Sequence, residues 1–194
     1  MVVIAARDND RYFTPEEYFS WEEQQLERHE LIDGRVYAMS GGTQNHSAIK
    51  LNVASLIRSH LRGSPCRVFN SDLKVNILNT PNYTYPDLSV TCDDRDREHP
   101  LYITYPCLIV EVLSDSTEAY DRGKKFEKYR RNPNLVDYVL VSSDEIAIDI
   151  YHKNDAGEWV ILSYREGDMV EFQSINLSLP IEQLYEEIVF DIQP

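Results

Sequence analysis

The run Cys107-Leu-Ile-Val-Glu-Val-Leu113 constrains the fold more than any other part of the chain, because apolar side chains fill its odd and even positions alike. Successive side chains of a strand point to opposite faces, so such a run reads as a strand covered on both sides and placed centrally in a sheet. Tyr138 to Val141 repeats the pattern, and Thr117 to Arg131 between them reads as a helix stopped by Asn132-Pro133. A strand, helix, strand order implies parallel pairing through a crossover. The predicted class is α/β (α+β), with a mixed central sheet flanked by helices.

The flanking elements follow from local signals. Thr14-Pro15-Glu16-Glu17 combines an N-cap, a proline at the first helical position and a capping-box glutamate, predicting a helix to about Glu27. Asp33-Gly34 between two short apolar runs predicts a hairpin over His29 to Met39. Ile49, Val53, Leu56, Ile57 and Leu61 recur at helical spacing, predicting a second helix over His46 to Leu61. Cys66 to Asn70, Leu73 to Leu78 and Asp87 to Thr91 read as strands, separated by a reversing loop over Asn79 to Tyr85. Asp93 to Pro100 reads as a charged loop. Ile146 to Tyr151, Trp159 to Tyr164 and Val170 to Phe172 form a predicted antiparallel meander, closed by a helix over Pro180 to Glu187. No linker or repeat interrupts this order, so 194 residues read as a tail over 1–12 and one domain over 13–190.

Composition narrows the function classes. With 33 acids against 19 Lys and Arg and a net charge of -14, the surface disfavours loose binding to nucleic acid. Against that, Arg122 to Arg131 concentrates basic residues, a cluster most often no more than a solvated helix face. No apolar stretch approaches the roughly 20 residues of a membrane span, and the N-terminus lacks a basic, then apolar, signal pattern; the expectation is a cytoplasmic protein with no membrane partner. Cys66, Cys92 and Cys107 are odd in number and widely separated, which suits small buried thiols better than disulfides or zinc.

Three residues sit where ordinary folding does not need them. Glu111 lies mid-strand with Ile109 and Leu113 on its own face, and a buried carboxylate costs several kcal/mol unless it finds a cation, a metal or donors. An internal ion pair with Arg or Lys is the plain explanation. Asp87, after Tyr85-Pro86, is most simply a turn cap. Together, however, two acids on neighbouring strands can converge on one hard divalent cation, which takes oxygen ligands. Asp121, Lys125 and Tyr129 recur at i, i+4 on one helix face, so one lysine can point inward while Lys124 and Lys128 meet solvent or phosphate.

These residues fall in motifs that resemble a known family. Glu30 with Leu-Ile-Asp-Gly34, Tyr85-Pro-Asp-Leu88, Leu108-Ile-Val-Glu-Val-Leu-Ser114 and Asp121-Arg-Gly-Lys-Lys-Phe-Glu-Lys-Tyr129 together resemble the Uma2 (DUF820) family of restriction-endonuclease-like proteins, itself similar to the PD-(D/E)XK nucleases. The resemblance spans about Phe13 to Ile188. It implies a restriction-endonuclease-like mixed sheet with additional antiparallel strands, and a metal site of Asp87, Glu111 and the Val112 carbonyl for Mg²⁺ or Mn²⁺. The superfamily lysine two residues after the acid is Leu113 here, and the match within the family is Lys125. Glu30 matches an acid that contacts metal directly or through water, although a surface strand acid is an equal reading. His46 is either a cleft residue or a cap.

What the resemblance implies chemically is phosphodiester hydrolysis, with nucleic acid, DNA in first place, as partner. Lys125 would stabilise charge on the phosphate, while Arg122, Lys124 and Lys128 would hold flanking phosphates. By analogy with restriction-type enzymes that cut two strands with two copies, it also suggests a homodimer. The alternative is a nuclease-fold binding or assembly module without turnover. Other chemistries lack parts: there is no phosphate-loop Gly-x-x-x-x-Gly-Lys, no Gly-x-Ser-x-Gly elbow and no zinc-spaced Cys or His.

Overall fold

The computed structural model describes residues 11–39 and 41–190, so the expected tail falls outside the described residues except for Arg11 and Tyr12. The first helix, α1 (Pro15–Glu22), starts at the expected capping box: Thr14 Oγ1 accepts from the Glu17 N–H while the Glu17 carboxylate accepts from the Thr14 N–H. It stops short of Glu27 because the Glu22 carboxylate turns back to accept the His29 N–H at 2.8 Å, fixing the chain's entry into β1. β1 (His29–Ile32) and β2 (Arg35–Ala38) form the hairpin. Asp33 (φ 51°) and Gly34 (φ 79°) supply the two left-handed residues its tight turn requires.

α2 (Gln44–His60) buries Ile49, Val53 and Ile57. β3 (Arg67–Asn70), β4 (Lys74–Asn76), β5 (Tyr83–Thr84), β6 (Leu88–Thr91), β7 (Tyr102–Ile103) and β8 (Leu108–Val112) follow. The predicted third helix, α3, is α-helical at Glu118–Tyr120, π-helical over Asp121–Lys125 and α-helical again over Phe126–Tyr129. β9 (Asp137–Val141), β10 (Ala147–Lys153) and β11 (Trp159–Arg165) complete a six-stranded sheet in the order β11-β10-β9-β8-β6-β3, with β8 and β9 parallel as the crossover requires. A five-stranded sheet, β2-β1-β5-β4-β7, stands beside it. β12 (Met169–Phe172) pairs with β13 (Leu177–Pro180), a strand the apolar pattern does not announce, and Ile181–Tyr185 is a 3-10 turn where a helix was expected.

β8 is central and buried at every position. One face, with Val110 and Val112, packs against Ile49, Val53 and Ile57 of α2. The other, with Ile109 and Leu113, packs under Tyr129 of α3 and against Tyr138 and Leu140. No helix among the described residues is long and apolar enough to cross a membrane.

The expectation of three free thiols is overturned. Cys66 and Cys92 form a disulfide, and only Cys107 stays free, its thiol pushed up to about 11 by burial. The register explains the pairing: Arg67 lies opposite Thr91, so the residues just outside them, 26 apart in sequence, meet across the ends of β3 and β6. Separation along the chain carries no information about such a cross-strand meeting.

Candidate active site

The pairing of β6 with β8 sets Leu88 opposite Val110, and continuing it by one residue sets Asp87 opposite Glu111. Directly opposed side chains on adjacent antiparallel strands have Cβ atoms about 5 Å apart, close enough for two carboxylates to share one ion. The sheet thus brings the two predicted acids together. Both line a cleft of about 740 Å³ that also receives Glu30, His46, Val112 and Lys125.

Glu111 is 4% exposed, and its counter-charge comes from above the sheet. The π-helical turn of α3 buries Asp121 and Lys125 together, and the Lys125 ammonium lies 2.8 Å from Glu111 Oε1, 3.6 Å from Asp121 and 3.7 Å from Glu30. Such π-turns recur at functional sites. The Lys125 ammonium is thus the buried counter-charge that faces Glu111 Oε1. Burial pushes the Glu111 carboxyl well above the usual carboxylate range, and the nearby acids Asp121 and Asp87 add to the rise against the pull of Lys125. Burial alone would depress the Lys125 ammonium, but Glu111, Glu30 and Asp121 outweigh it and hold the lysine charged.

Asp87 is differently placed. Its Oδ2 accepts the Val112 N–H at 2.8 Å and lies 3.3 Å from His46 Nε2; its Oδ1 lies 3.4 Å from Lys50 Nζ. Burial raises its carboxyl, but His46, the Val112 N–H and Lys50 overcome this and hold it below the usual range. His46 is set at the start of α2 by Thr43, whose side chain accepts the His46 N–H, and its ring packs over Gly42, where an added Cβ would come within 2.6 Å. Glu30, carried on β1 of the smaller sheet, accepts the Tyr85 N–H at 2.9 Å and so ties that sheet to the strand entering at Asp87.

The structure therefore unites Asp87, Glu111, Val112, Lys125, Glu30 and His46. Sequence reading missed Lys50 and Asp121 as groups of the same cleft; the i, i+4 spacing of Lys50 from His46 was the available signal. Of the three basic residues expected to hold phosphate, Arg122 is bonded to Glu118 and Asp149, Lys128 to Asp33, and none of the three lines the cleft.

The donor set fits a hard cation. Asp87 and Glu111 offer carboxylate oxygens to the same cleft, while no group of three or more His, Cys, Asp and Glu among the described residues could enclose a metal. Two carboxylates completed by backbone oxygen and water suit Mg²⁺, which is rarely held in an all-protein cage.

Comparison with known proteins gives concordant findings. A family model described as "Uma2: Putative restriction endonuclease" matches residues 15–182. A Synechocystis sp. (strain ATCC 27184 / PCC 6803 / Kazusa) protein, "Uncharacterized protein slr1290", is 56% identical over 177 residues, 91% of this chain and 93% of its own. A second protein of that organism, "Uncharacterized protein sll1609", is 28% identical over 180 residues, 91% of this chain and all of its own. Among solved structures, "a putative nuclease belonging to DUF820" from Anabaena variabilis ATCC 29413 shares the fold with a TM-score of 0.74, at 20% identity, over 91% of this chain and 99% of that one.

Proposed function

This chain belongs to the Uma2 family, and from that membership and the geometry of its cleft we propose that it is a metal-dependent phosphodiester hydrolase, with DNA cut internally as the leading substrate. The observation that carries the reading is the opposition of Asp87 and Glu111 in one open cleft with a buried ammonium 2.8 Å from the second acid. An ion pair serving stability alone does not need a second carboxylate across the strand or an opening to solvent.

Asp87, Glu111 and the carbonyl of Val112 are the groups that would hold Mg²⁺ or Mn²⁺, which supplies Lewis acidity toward a phosphate oxygen and a water of lowered pKa. The remaining work falls to the chain. The Val112 N–H and Lys50 orient the Asp87 carboxylate and keep it ionised. Asp121 and Glu30 hold Lys125 protonated and aimed at the Glu111 side of the cleft, where its charge offsets the charge that develops on a phosphate under attack. His46 presents an imidazole nitrogen at the cleft within 3.3 Å of Asp87.

The test is incubation of supercoiled plasmid, single-stranded DNA and RNA with Mn²⁺, comparing native protein with Asp87→Asn and Lys125→Ala. Nicking by native protein that falls at least about a hundredfold in both variants is expected. Equal cutting by Asp87→Asn would refute the reading. One observation favours a rival, a module of this fold without turnover: both Asp87 oxygens are already engaged by protein groups. Native protein that binds metal and DNA yet cuts none of the three substrates would establish that rival.

A further inference from the structure

Between Asp33 and Asp72 the chain carries no acidic residue at all, although at its average acid frequency a stretch of that length would hold about six. The same stretch contains Arg35, Lys50, Arg58, Arg62 and Arg67. It is a basic island in a chain of net charge -14, and it is separate from the basic segment on α3.

Folding orders this island. His46, Lys50, Ala54 and Arg58 follow one another at i+4, the spacing that makes a single ridge along α2, and Arg62 follows in the turn just past the helix end. The ridge starts at the cleft, which His46 and Lys50 line, and ends at a second pocket of about 300 Å³ lined by Arg58, Arg62 and Arg67. β3 joins the same two places in the opposite direction, from Arg67 at the pocket to Ser71, just past its end, where Lys50 Nζ meets Ser71 Oγ at 3.3 Å. β3 is an edge strand of the six-stranded sheet, and the Cys66–Cys92 disulfide pins its arginine end to β6.

The three arginines of the pocket lack counter-charges. Among the described residues Arg58 and Arg62 enter no ion pair, whereas Arg28, Arg95, Arg97, Arg122 and Arg165 all do. Arg67 lies over the Phe69 ring, and its Nη2 is buried without a hydrogen-bond partner. A buried donor on a charged group is costly to leave unmade, so it points to an acceptor supplied from outside. The C-terminal dipole of α2 would account for Arg58 and Arg62 but not for Arg67, which comes from a strand.

We propose that the α2 ridge and the start of β3 form a track for the phosphate backbone of a nucleic-acid strand, running from the cleft to a grip made by Arg58, Arg62 and Arg67. This rests on the hydrolase reading for its substrate class. At 1.5 Å rise per helical residue, Arg58 stands about 12 Å along α2 from Lys50, or about three to four phosphates of duplex rise, and Arg62 lies in the turn just beyond the helix. The acidic remainder of the surface repels the strand elsewhere and confines it to this path.

The test measures binding without cleavage. A fluorescein-labelled 20-mer duplex and the same single strand are titrated in EDTA between 50 and 200 mM NaCl, and affinity is read by anisotropy. Native protein is compared with Arg58→Gln/Arg62→Gln/Arg67→Gln and with a charge-matched control, Arg97→Gln/Arg130→Gln/Lys153→Gln; circular dichroism checks that each is folded. The track variant should bind at least about tenfold more weakly, with a salt slope shallower by about 0.9 per arginine on duplex and about 0.7 on single strand. Loss no greater than in the control, or no DNA binding by native protein, overturns the proposal. A melting temperature raised by millimolar inorganic phosphate, with no DNA binding, would assign the pocket to a free anion and also overturn it. Failure of the hydrolase reading is distinguishable: native protein that cuts nothing but loses DNA with these arginines keeps the track and refutes the chemistry.

Discussion

Replacing Lys125 by methionine keeps the stem and removes the one cation among three carboxylates. The attractions involved are large: at an effective dielectric near 20, a unit pair at the 2.8 Å separation of Lys125 from Glu111 is worth about 6 kcal/mol. Desolvation of the ammonium offsets much of that, and breaking a buried pair from one side costs about 3 to 5 kcal/mol. In a chain of this size, that corresponds to a melting temperature lower by about 6 to 20 °C. The loss should depend on pH in a definite direction. Without the ammonium, the Glu111 carboxyl, already raised by burial, rises further. A carboxyl raised in the folded state contributes stability at low pH that disappears as pH climbs through its folded pKa. Lys125 itself stays protonated over the same range, because its raised pKa lies far above it. Thermal unfolding in EDTA over a pH series should therefore show a deficit that shrinks on acidification. A deficit below about 3 °C at the alkaline end of the series, or one that fails to shrink on acidification, would refute the account of a coupled acid cluster.

The same cluster predicts metal behaviour. Mg²⁺ or Mn²⁺ at about a hundred times its Kd should stabilise native protein by about 2.7 kcal/mol, read as a rise in melting temperature that Asp87→Asn or Glu111→Gln abolishes. Because the buried Glu111 carboxyl holds its proton above the usual range, metal must displace it; Mg²⁺ affinity should tighten by up to about tenfold per pH unit until Glu111 is ionised, and calorimetry in two buffers should count the proton released. A metal affinity that does not weaken on acidification, with no proton released on binding, would exclude Glu111 as a ligand. Reducing the Cys66–Cys92 disulfide, or the double serine variant, should cost about 3 to 4 kcal/mol from loop entropy in urea unfolding. Gly34→Ala should destabilise the hairpin by more than about 1 kcal/mol, since the residue has a positive φ and its new Cβ would come 2.9 Å from the Tyr12 ring.

What sequence revealed and what it hid divide along one physical line. Glu111 was legible because a carboxylate in a doubly apolar strand violates burial, and Lys125 because helical spacing put it on the face of Tyr129. Both signals are local. The Cys66–Cys92 bond and the two-residue strands β5 and β7 depend on which strands become neighbours, which local periodicity does not encode. The basic segment on α3 misled for a related reason. Its composition is conspicuous, but acids brought from Asp33 and Asp149 by the tertiary fold engage Lys128 and Arg122.

The position of Leu113 shows why the lysine can stand elsewhere without changing what the cleft offers. Leu113 shares a face with Glu111, but it is 4% exposed and packed with Ile109, Tyr138 and Leu140 beneath α3. A lysine stem there would have to displace that core, and its ammonium would leave the sheet's plane only where α3 already covers it. The covering helix solves the same electrostatic problem from above, at 2.8 Å from the acid, with Asp121 of its own π-turn as a second anchor. Hydrolysis as proposed needs a fixed positive charge beside the second carboxylate, and no physical argument ties that charge to the strand bearing the carboxylate. It follows that Lys125→Ala with Leu113→Lys would not restore cutting: the new ammonium would enter an apolar layer, where burial drives it toward its neutral form.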